Sequence, residues 1–484
     1  MLLSRFLLIA AFAAAPALAA DYTVNTAADS GPGSLRQAIA DANSHPGADT
    51  ITLGNVGTIA LTGGTLLVTD DLTVRSSGGA QVGLRNAAAA QSVAAYDPGR
   101  IFLLRGTVDR NITVTLEGLV LSNGLTRGTV DANGIVTDNG DGGAVRSEYV
   151  HLTLRQCTLA SNQSANDGGA LWHYVGNLLI QDSHVSANSA DFHGGGAHIA
   201  GGQINLQRVR FYGNTAPFGG GLATIDIGTY VSIQDAHFDN NEALHTGGGG
   251  YLLLASLDMA RTTVSGNSSG QAQGAGFYLV APTDAPGTPL HIANSTFSGN
   301  GTANATGSGA GAGITLSGGR MLLRNSTVYG NPPAGGAARI GGGIFVRAGD
   351  NHLELESVLV AASDVAREVD EENPDNSIRA RHSLIQAVPA MGTLNAGDSE
   401  NRVGVDPQVA PLANNGGYAP THAIAADSPA RDAGDNILPF LWTDQRGVDT
   451  TLGKTFNRYY GRPDIGAYEY LGEDTIFFHD HEEH

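Results

Sequence analysis

Short apolar segments recur through the middle of the chain, and hydrophobic and polar positions alternate within each segment. Between residues 152 and 346 every copy of the pattern holds three such segments, for example residues 152–154, 158–160 and 170–174. The segments are too short for helices, and alternation with a period of two is typical of strands. Clusters of Gly and Asn, which favour tight turns, separate them. The pattern therefore predicts three short strands in each copy.

An asparagine occupies the same position in each copy, and the spacing between these asparagines gives the length of the repeat. The members of this column are Asn162, Asn188, Asn214, Asn241, Asn267, Asn300 and Asn331. Their spacings are 26, 26, 27, 26, 33 and 31 residues, and a degenerate earlier copy ends at Asn123. A period of this size indicates stacked units. Three strands in 26 residues leave no room for a crossover helix, so each strand is expected to pair in parallel with its counterpart about 4.8 Å away.

The repeat predicts an all-β fold, a parallel β-helix solenoid with three strands per coil and one apolar interior. Aligning the copies gives two inward columns. The first is Leu154, Ile180, Leu206, Ile233, Met259, Ile292, Leu323 and Leu355. The second follows the Gly run of each copy and is Leu171, Ala197, Leu222, Tyr251, Phe277, Ile314 and Ile344. The asparagine column falls at a corner, where amide side chains can hydrogen-bond along the stack, so we assign it to the scaffold.

Two resemblances extend this prediction. The repeats resemble right-handed parallel β-helix proteins of the pectin-lyase-like superfamily, and the resemblance implies a right-handed coil over residues 50–400. Within residues 401–470, three blocks are similar to the bacterial choice-of-anchor Q module, which implies that this region ends the β-helix. The blocks are DPQVAPLANNGGYAPTHAIAADSPARDAGD, TDQRG and RPDIGAYEY. A polar tail, 471–484, follows in place of the sorting signal usual in that family.

The sequence of the N-terminal region predicts that the protein is exported and that a short helix caps the solenoid. Residues 1–19 have a basic start, an apolar run and a small-x-small site, as in a secretory signal peptide. Residues 20–49 resemble the SLREAI-type motif that begins many exported bacterial β-helix proteins. In this region Ser34 and Gln37 predict a capping box for a short helix with an apolar stripe at Leu35, Ala38, Ile39 and Ala42. We expect this helix to cover the open end of the solenoid.

Composition narrows the possible partners. The 484 residues include 67 Gly and one Cys, and the formal net charge is −20. This acidic balance argues against nucleic acid or anionic lipid as the main partner. No segment after residue 19 is long and apolar enough to span a bilayer. We therefore expect a monomer that is secreted or lies at the outer cell surface, with the periplasm as the alternative location.

The outward positions beyond the Gly corner form the candidate functional face. They combine Trp172 with charged and polar side chains from neighbouring copies: Arg146, Glu148, Asp167, Tyr174, Asp191, His193 and His198. Flat rings beside hydroxyl-binding groups are typical of a sugar platform. The face therefore predicts binding of a polysaccharide or a cell-surface glycan. The alternative is that the insertion 124–141 folds over Trp172 and covers it.

The same face could instead belong to a polysaccharide-degrading enzyme, with a lyase favoured over a glycoside hydrolase. A lyase needs a uronate neutraliser, an acid and a base, for which the candidates are Arg146, Tyr174 and His198. A hydrolase needs two carboxylates about 5–10 Å apart. Asp141, Asp167 and Asp191, near the corners of successive coils, could approximate that spacing.

The insertion after Asn123 also carries oxygen ligands suited to Ca²⁺. The candidate ligands are Asp131, Asp138 and Asp141. Their spacing matches no complete calcium loop, and Asx-Gly pairs are also ordinary turn formers. A groove between loops 124–141 and 364–376 with such a cluster would favour the enzyme, whereas a flat aromatic face would favour the binding protein.

Overall fold

The computed structural model confirms the predicted fold, a stack of parallel strands with one helix. It describes residues 18–78, 81–87, 99–130, 136–226, 228–270, 273–281, 289–302, 311–332, 340–347, 349–363, 365, 367–373, 376–387, 400–435, 443–447 and 462–470. In a typical coil the chain passes through a first, a second and a third sheet. A short corner ladder lies between the second and third sheets, which the sequence pattern did not predict.

Strands of the first two sheets meet at tight corners. The first sheet contains Asp21–Val24, Asp49–Leu53, Leu72–Ser76, Ile112–Glu117, Val150–Arg155, Leu178–Ser186, Gln203–Tyr212, Tyr230–Gln234, Ser256–Ala260, Leu290–Ala293, Arg320–Arg324, His352–Glu356 and Ser377–Arg381. The second contains Thr58–Leu61, Val82–Asn86, Leu119–Ser122, Thr158–Ala160, His237–Asp239, Thr263–Ser265, Thr296–Ser298, Thr327–Tyr329, Leu359–Ala361, Leu384–Ile385 and Arg402–Val403. Leu178–Ser186 and Gln203–Tyr212 run through both sheets.

The remaining strands form the third sheet, the corner ladder and one hairpin. The third sheet contains Leu66–Val68, Phe102–Arg105, Val145–Glu148, Leu171–Tyr174, Ala197–Ala200, Leu222–Ile225, Gly250–Leu253, Phe277–Val280, Ile314–Ser317, Ile340–Val346 and Arg367–Glu371. The corner ladder contains Gln163–Ser164, Ser189–Ala190, Thr215–Phe218, Glu242–Thr246, Ser268–Ser269 and Gly301–Thr302. The hairpin pairs Thr129–Val130 with Val136–Asp138 inside the predicted insertion.

Of the two predicted inward columns, the first is confirmed throughout and the second is wrong at one position. From Leu154 to Leu355 the first column pairs residue by residue between coils and is buried throughout. In the second column Gly250, not Tyr251, pairs with Leu222 and Phe277. Tyr251 therefore points outward. A run of four glycines precedes it, and a shift of one residue in a strand exchanges the two faces.

The asparagine column forms the predicted hydrogen-bonded ladder. For example, Asn188 Oδ1 accepts from the backbone N and from Nδ2 of Asn162, at 2.9 and 3.0 Å. Asn188 Nδ2 donates to Leu159 O at 3.0 Å. The same bonds repeat down to Asn331, and all seven side chains are buried. In the degenerate copy Gly124, not Asn123, takes the column's position, and its N–H donates to Asn162.

The N-terminal helix, Leu35–Ser44, is present and buries its predicted apolar stripe. Ser34 Oγ accepts from Gln37 N at 3.2 Å, so the N-cap is confirmed. The second predicted hydrogen bond of the capping box, from Ser34 N to the Gln37 side chain, does not form, so this part of the prediction is wrong. Ser34 N already donates to Gly31 O, and Gln37 Nε2 donates to Asp41 instead. Among the described residues no helix is long and apolar enough to cross a membrane. The signal-peptide prediction lies almost wholly outside the described residues.

The C-terminal region folds back along the outer face of the second sheet. We call its described segments, 406–435, 443–447 and 462–470, the strap. Thr263 Oγ1 donates to Pro420 O at 2.6 Å, and Ser298 Oγ lies 2.8 Å from His422 Nε2. Strap residues including Ile424, Ala430 and Ile465 also bury a small second core against Leu359 and Leu384. The strap thus covers the second sheet both in coils in the middle of the solenoid and in the coils at its C-terminal end.

One polar side chain of the interior makes stability depend on pH. His173 lies inside the third sheet between Ser147 Oγ and Gly176 O, each 3.1 Å away. Burial lowers its pKa to about 4. Between about pH 6.5 and pH 4 the unfolded chain binds a proton there and the folded chain does not, so falling pH should cost about 3 kcal/mol of stability.

The measurement is the denaturant midpoint at pH 7 and at pH 4 for the wild type and for His173→Gln. We expect a smaller loss with acid in the variant, because the buried titrating group is gone. His184→Gln, which changes an exposed histidine, is the control and should follow the wild type. An equal acid dependence in all three proteins contradicts the prediction.

Candidate functional site

A glycine-rich corner in each coil positions the outward residues of the third sheet. At Gly169, an added Cβ would lie 2.1 Å from Gly195 O and 2.5 Å from Ser189 O of the next coil. The corner at Gly169 therefore has no room for a side chain. Beyond it the strands pair in register, so that Arg146, Trp172 and His198 are adjacent in one outward row.

The aromatic platform, which we define as Trp172 and Tyr174, lies on this row. The two ring centroids are 5.8 Å apart with 22° between the planes. Tyr149 packs edge-on against Tyr174 at 5.6 Å. Trp172 is partly buried, whereas Tyr174 is 39% exposed. The two rings are therefore stacked with their planes nearly parallel, and the pair is open at the Tyr174 side.

The predicted neutraliser, Arg146, is occupied by carboxylates. Its Nε donates to Glu148 at 2.7 Å and its Nη1 to Asp138 at 3.1 Å, while Asp141 lies 3.5 Å away. Its guanidinium also lies 4.9 Å from the Trp172 ring centroid. Since Asp138 belongs to the insertion, the insertion holds Arg146 against the indole. The alternative that the insertion itself covers Trp172 stays a prediction.

The insertion is fixed by a buried ion pair. Arg100, which is 1% exposed, makes two hydrogen bonds to Asp138, at 2.8 and 2.9 Å. Burial of Asp138 opposes ionisation, but the Arg100 contact outweighs it and lowers the pKa to about 2. Burial raises the pKa of Asp141, which accepts from Asn166 Nδ2 at 2.7 Å.

These contacts bear on the predicted calcium ligands. Asp138 is neutralised by arginine, and Asp131 lies outside the described residues. In the described part of the chain no three His, Cys, Asp or Glu side chains come together as a metal-binding group. The geometry of Asp138 and Asp141 gives the calcium prediction no support, and it stays a prediction.

Asp167, His193 and His198 form a cluster beside the platform. Asp167 Oδ1 lies 2.9 Å from His193 Nδ1, and Oδ2 lies 3.1 Å from His198 Nδ1. Burial opposes ionisation of Asp167, but the two imidazoles outweigh it and hold its pKa well below the usual value. His198 is 1% exposed, and neither of its ring nitrogens has a well-aligned hydrogen-bond partner in the described structure.

Aromatic side chains that the sequence pattern missed extend the face along the coil axis. Phe192 is 51% exposed and lies 6.3 Å from the ring of Phe218, which in turn lies 5.9 Å from Tyr251. Tyr251 stacks on Tyr278 at 5.4 Å and 13°. Outward alternation within the corner ladder could have identified Phe218. Tyr251 was assigned to the interior because of the glycine run before it.

The predicted site residues therefore fall into three groups. Trp172 and Tyr174 form one surface, with Asp191 exposed near the corner beside Phe192. Glu148 lies next to it but is held by Arg105 and Arg146. His198, the predicted base, is buried behind the surface. The arrangement offers rings and hydrogen-bonding groups to a ligand, whereas the predicted neutraliser Arg146 is paired and the predicted base His198 is enclosed.

The strand order and the family comparison define the class of protein as a right-handed parallel β-helix. Residues 168–359 match the family model for a right handed beta helix region. No curated protein matches the chain. Among solved structures, pectate lyase Pel9A is similar at 14% identity, with 93% of this chain and 96% of that chain covered and a TM-score of 0.35. Alginate lyase AlyF-OU02, solved with G6, is similar at 11% identity, with 84% and 92% covered and a TM-score of 0.29.

Proposed function

We propose that this chain is an exported β-helix protein that binds polysaccharide through the aromatic platform and the row beyond it. The observation that carries the proposal is the nearly parallel arrangement of Trp172 and Tyr174 on one outward strand face. Alternate residues of a strand share a face, so the backbone itself holds the two rings side by side. Two rigid rings bind the apolar face of a sugar at low entropic cost.

The length of the face suits a polymer. Trp172 and Tyr251 lie three coils apart in the same row, and both are partly exposed. At the spacing of adjacent strands this is about 14 Å. Phe192 and Phe218 border the row over this length. A linear saccharide could therefore contact several rings, with its axis along the coil stack.

A lyase or hydrolase is the second candidate function, and the site geometry favours it less. The predicted base His198 is enclosed, and the predicted neutraliser Arg146 already binds Glu148, Asp138 and Trp172. A uronate would have to displace those carboxylates to reach the guanidinium. Binding without turnover requires no such rearrangement.

The charges of this face predict a preference for neutral saccharides. Five carboxylates (Asp138, Asp141, Glu148, Asp167 and Asp191) meet three arginines (Arg100, Arg105 and Arg146). All three arginines are paired with carboxylates of this set. Like charges repel across such a surface, and an anionic sugar would have to compete with these carboxylates for the three arginines. We expect neutral glucans, mannans or xylans to bind at least about tenfold more tightly than polyuronates of equal length.

The experiment is a binding screen of the purified protein against neutral polysaccharides, polygalacturonate and alginate by affinity electrophoresis. Each polymer is also assayed for unsaturated products by ultraviolet absorbance and for new reducing ends. Binding of neutral polymers without new products supports the proposal. Turnover of any polymer, abolished by His198→Ala, would replace it with the enzyme. Binding of polyuronates in preference to neutral polymers contradicts the charge argument alone.

Location outside the cell is part of the proposal and has its own test. It rests on the sequence of residues 1–19, which resembles a secretory signal peptide. Expression of the full chain in a bacterial host, followed by fractionation and mass determination of the product, measures it. We expect an exported form that begins at Ala20, and uncleaved protein confined to the cytoplasm contradicts it.

A further inference from the structure

A shallow cavity of about 240 Å³ lies on the outer face of the first sheet, towards the C-terminal end of the solenoid. It is lined by Arg320, His352, Glu354, Ser377 and Arg379. The strands Arg320–Arg324, His352–Glu356 and Ser377–Arg381 present these residues from three successive coils. The aromatic platform is on the third sheet, so the cavity is a separate surface.

The cavity contains more positive than negative charge. Two guanidiniums and one carboxylate line it, together with the imidazole of His352, whose Nε2 lies 3.6 Å from Oδ1 of the exposed Asp350 beside the cavity. Arg320 Nη2 donates to Glu354 Oε1 at 2.6 Å, which satisfies that carboxylate from one side. Two further arginines on the same face, Arg324 and Arg381, are both bound to Glu356. Paired arginines therefore surround the cavity in a chain whose formal net charge is −20.

Unlike the neighbouring arginines, Arg379 is not paired with a carboxylate of the described residues. It is the cross-strand partner of Glu354 in the register, yet it makes no hydrogen bond or ion pair with any described residue. Its side chain is exposed. The hydroxyl of Ser377 on the same strand likewise has no partner among the described residues. A guanidinium and a hydroxyl at the edge of the cavity are thus free to donate.

We propose that this cavity binds an oxyanion, held by Arg379 and Arg320 with Ser377 and His352 as further donors. A planar guanidinium forms paired hydrogen bonds to the oxygens of carboxylate, sulfate or phosphate. At physiological ionic strength attraction reaches only about 8 Å, so the local surplus of arginine matters more than the net charge of the chain. The anion is either a free inorganic ion or an acidic group on a sugar.

The experiment is isothermal titration calorimetry of the full chain with inorganic sulfate, inorganic phosphate, glucuronate and glucose. We expect at least one of the oxyanions to bind and glucose not to bind at this site. Tighter binding of glucuronate than of both inorganic ions identifies a sugar acid as the ligand, and the reverse order identifies a free ion. Absence of binding by all three oxyanions overturns the proposal.

Two variants with opposite expected effects locate the site. Arg379→Gln removes the free guanidinium and should weaken oxyanion binding by about tenfold. Glu354→Gln removes the competing carboxylate and should strengthen binding, because Arg320 becomes available. Arg110→Gln, which changes an exposed arginine paired with Asp70 and Asp71, is the matched control and should bind as the wild type.

Circular dichroism shows that each variant is folded before titration. Substitutions at exposed positions such as Arg379 normally change stability little. Equal affinities in the wild type, Arg379→Gln and Glu354→Gln overturn the assignment of the site, even if oxyanions bind elsewhere on the chain. Binding of neutral polysaccharide on the third sheet is independent of either result.

Discussion

Replacing Trp172 with alanine is expected to weaken saccharide binding by about 30-fold or more and to leave the fold intact. The indole is half of the aromatic platform, and it also supports Arg146 at 4.9 Å and Tyr174 at 5.8 Å. Its loss removes the larger ring and releases both neighbours from their positions. Central aromatic contacts of binding sites commonly contribute about 2 kcal/mol or more, which is about 30-fold in affinity.

The measurement is the dissociation constant for the best polysaccharide of the screen, by calorimetry. Trp172→Phe keeps a ring and should retain part of the affinity. Tyr230→Ala is the matched control, since Tyr230 is a 53% exposed aromatic residue on the first sheet. Unchanged affinity in Trp172→Ala, with the fold preserved, would place the ligand elsewhere. Reduced affinity in Tyr230→Ala would indicate that the third sheet is not the specific surface.

Replacing Asn214 with alanine is expected to cause a large loss of stability, because Asn214 lies in the middle of the asparagine ladder. Asn214 Oδ1 accepts from Asn188 N and Nδ2 at 3.0 and 2.9 Å, and Asn214 Nδ2 donates to Val185 O at 2.9 Å. With alanine at this position, the backbone N–H and the side-chain amide of Asn188 and the carbonyl of Val185 lose the Asn214 side chain as a hydrogen-bond partner. Each unsatisfied buried group costs about 1–3 kcal/mol, so the free energy of unfolding should fall by about 3 kcal/mol or more.

Urea denaturation of the variant and of Asn177→Ala measures this effect. Asn177 is an exposed asparagine in the turn between the third and first sheets, and its replacement should leave the midpoint almost unchanged. Hydrogen exchange adds a local measurement, because the amide of Asn188 should lose protection first. Equal midpoints for the two variants would show that the ladder amides contribute no more than a surface asparagine.

The fold could be predicted because coil-to-coil contacts join residues of identical position in successive copies. The column from Leu154 to Leu355 and the ladder from Asn162 to Asn331 follow directly from alignment of the repeats. Repetition does not fix the register where the sequence lacks side chains. Four glycines precede Tyr251, and either of two registers satisfies the alternation, so the ring was assigned to the wrong side.

The candidate site was predictable in part for the same reason. Alternation alone places Trp172 and Tyr174 on one outward face. The partners of Arg146 depend on how an irregular insertion folds, and no periodicity describes Asp138 or Asp141. Burial of His198 likewise depends on its neighbours His193 and Asp167. Side chains at regular positions were predictable, and contacts with irregular segments were not.

The strap links the coils to segments that are distant in sequence. Thr263 Oγ1 accepts a hydrogen bond from Gln445 Nε2, which lies 182 residues further along the chain, and Ser298 Oγ contacts His422, which lies 124 residues further along. A solenoid without such links can fray coil by coil from its ends. Here the coils under the strap must come apart together, and they cannot gain its contacts until the strap has been synthesised. Because distant contacts slow folding, we expect these coils to be the last part of the protein to become protease-resistant.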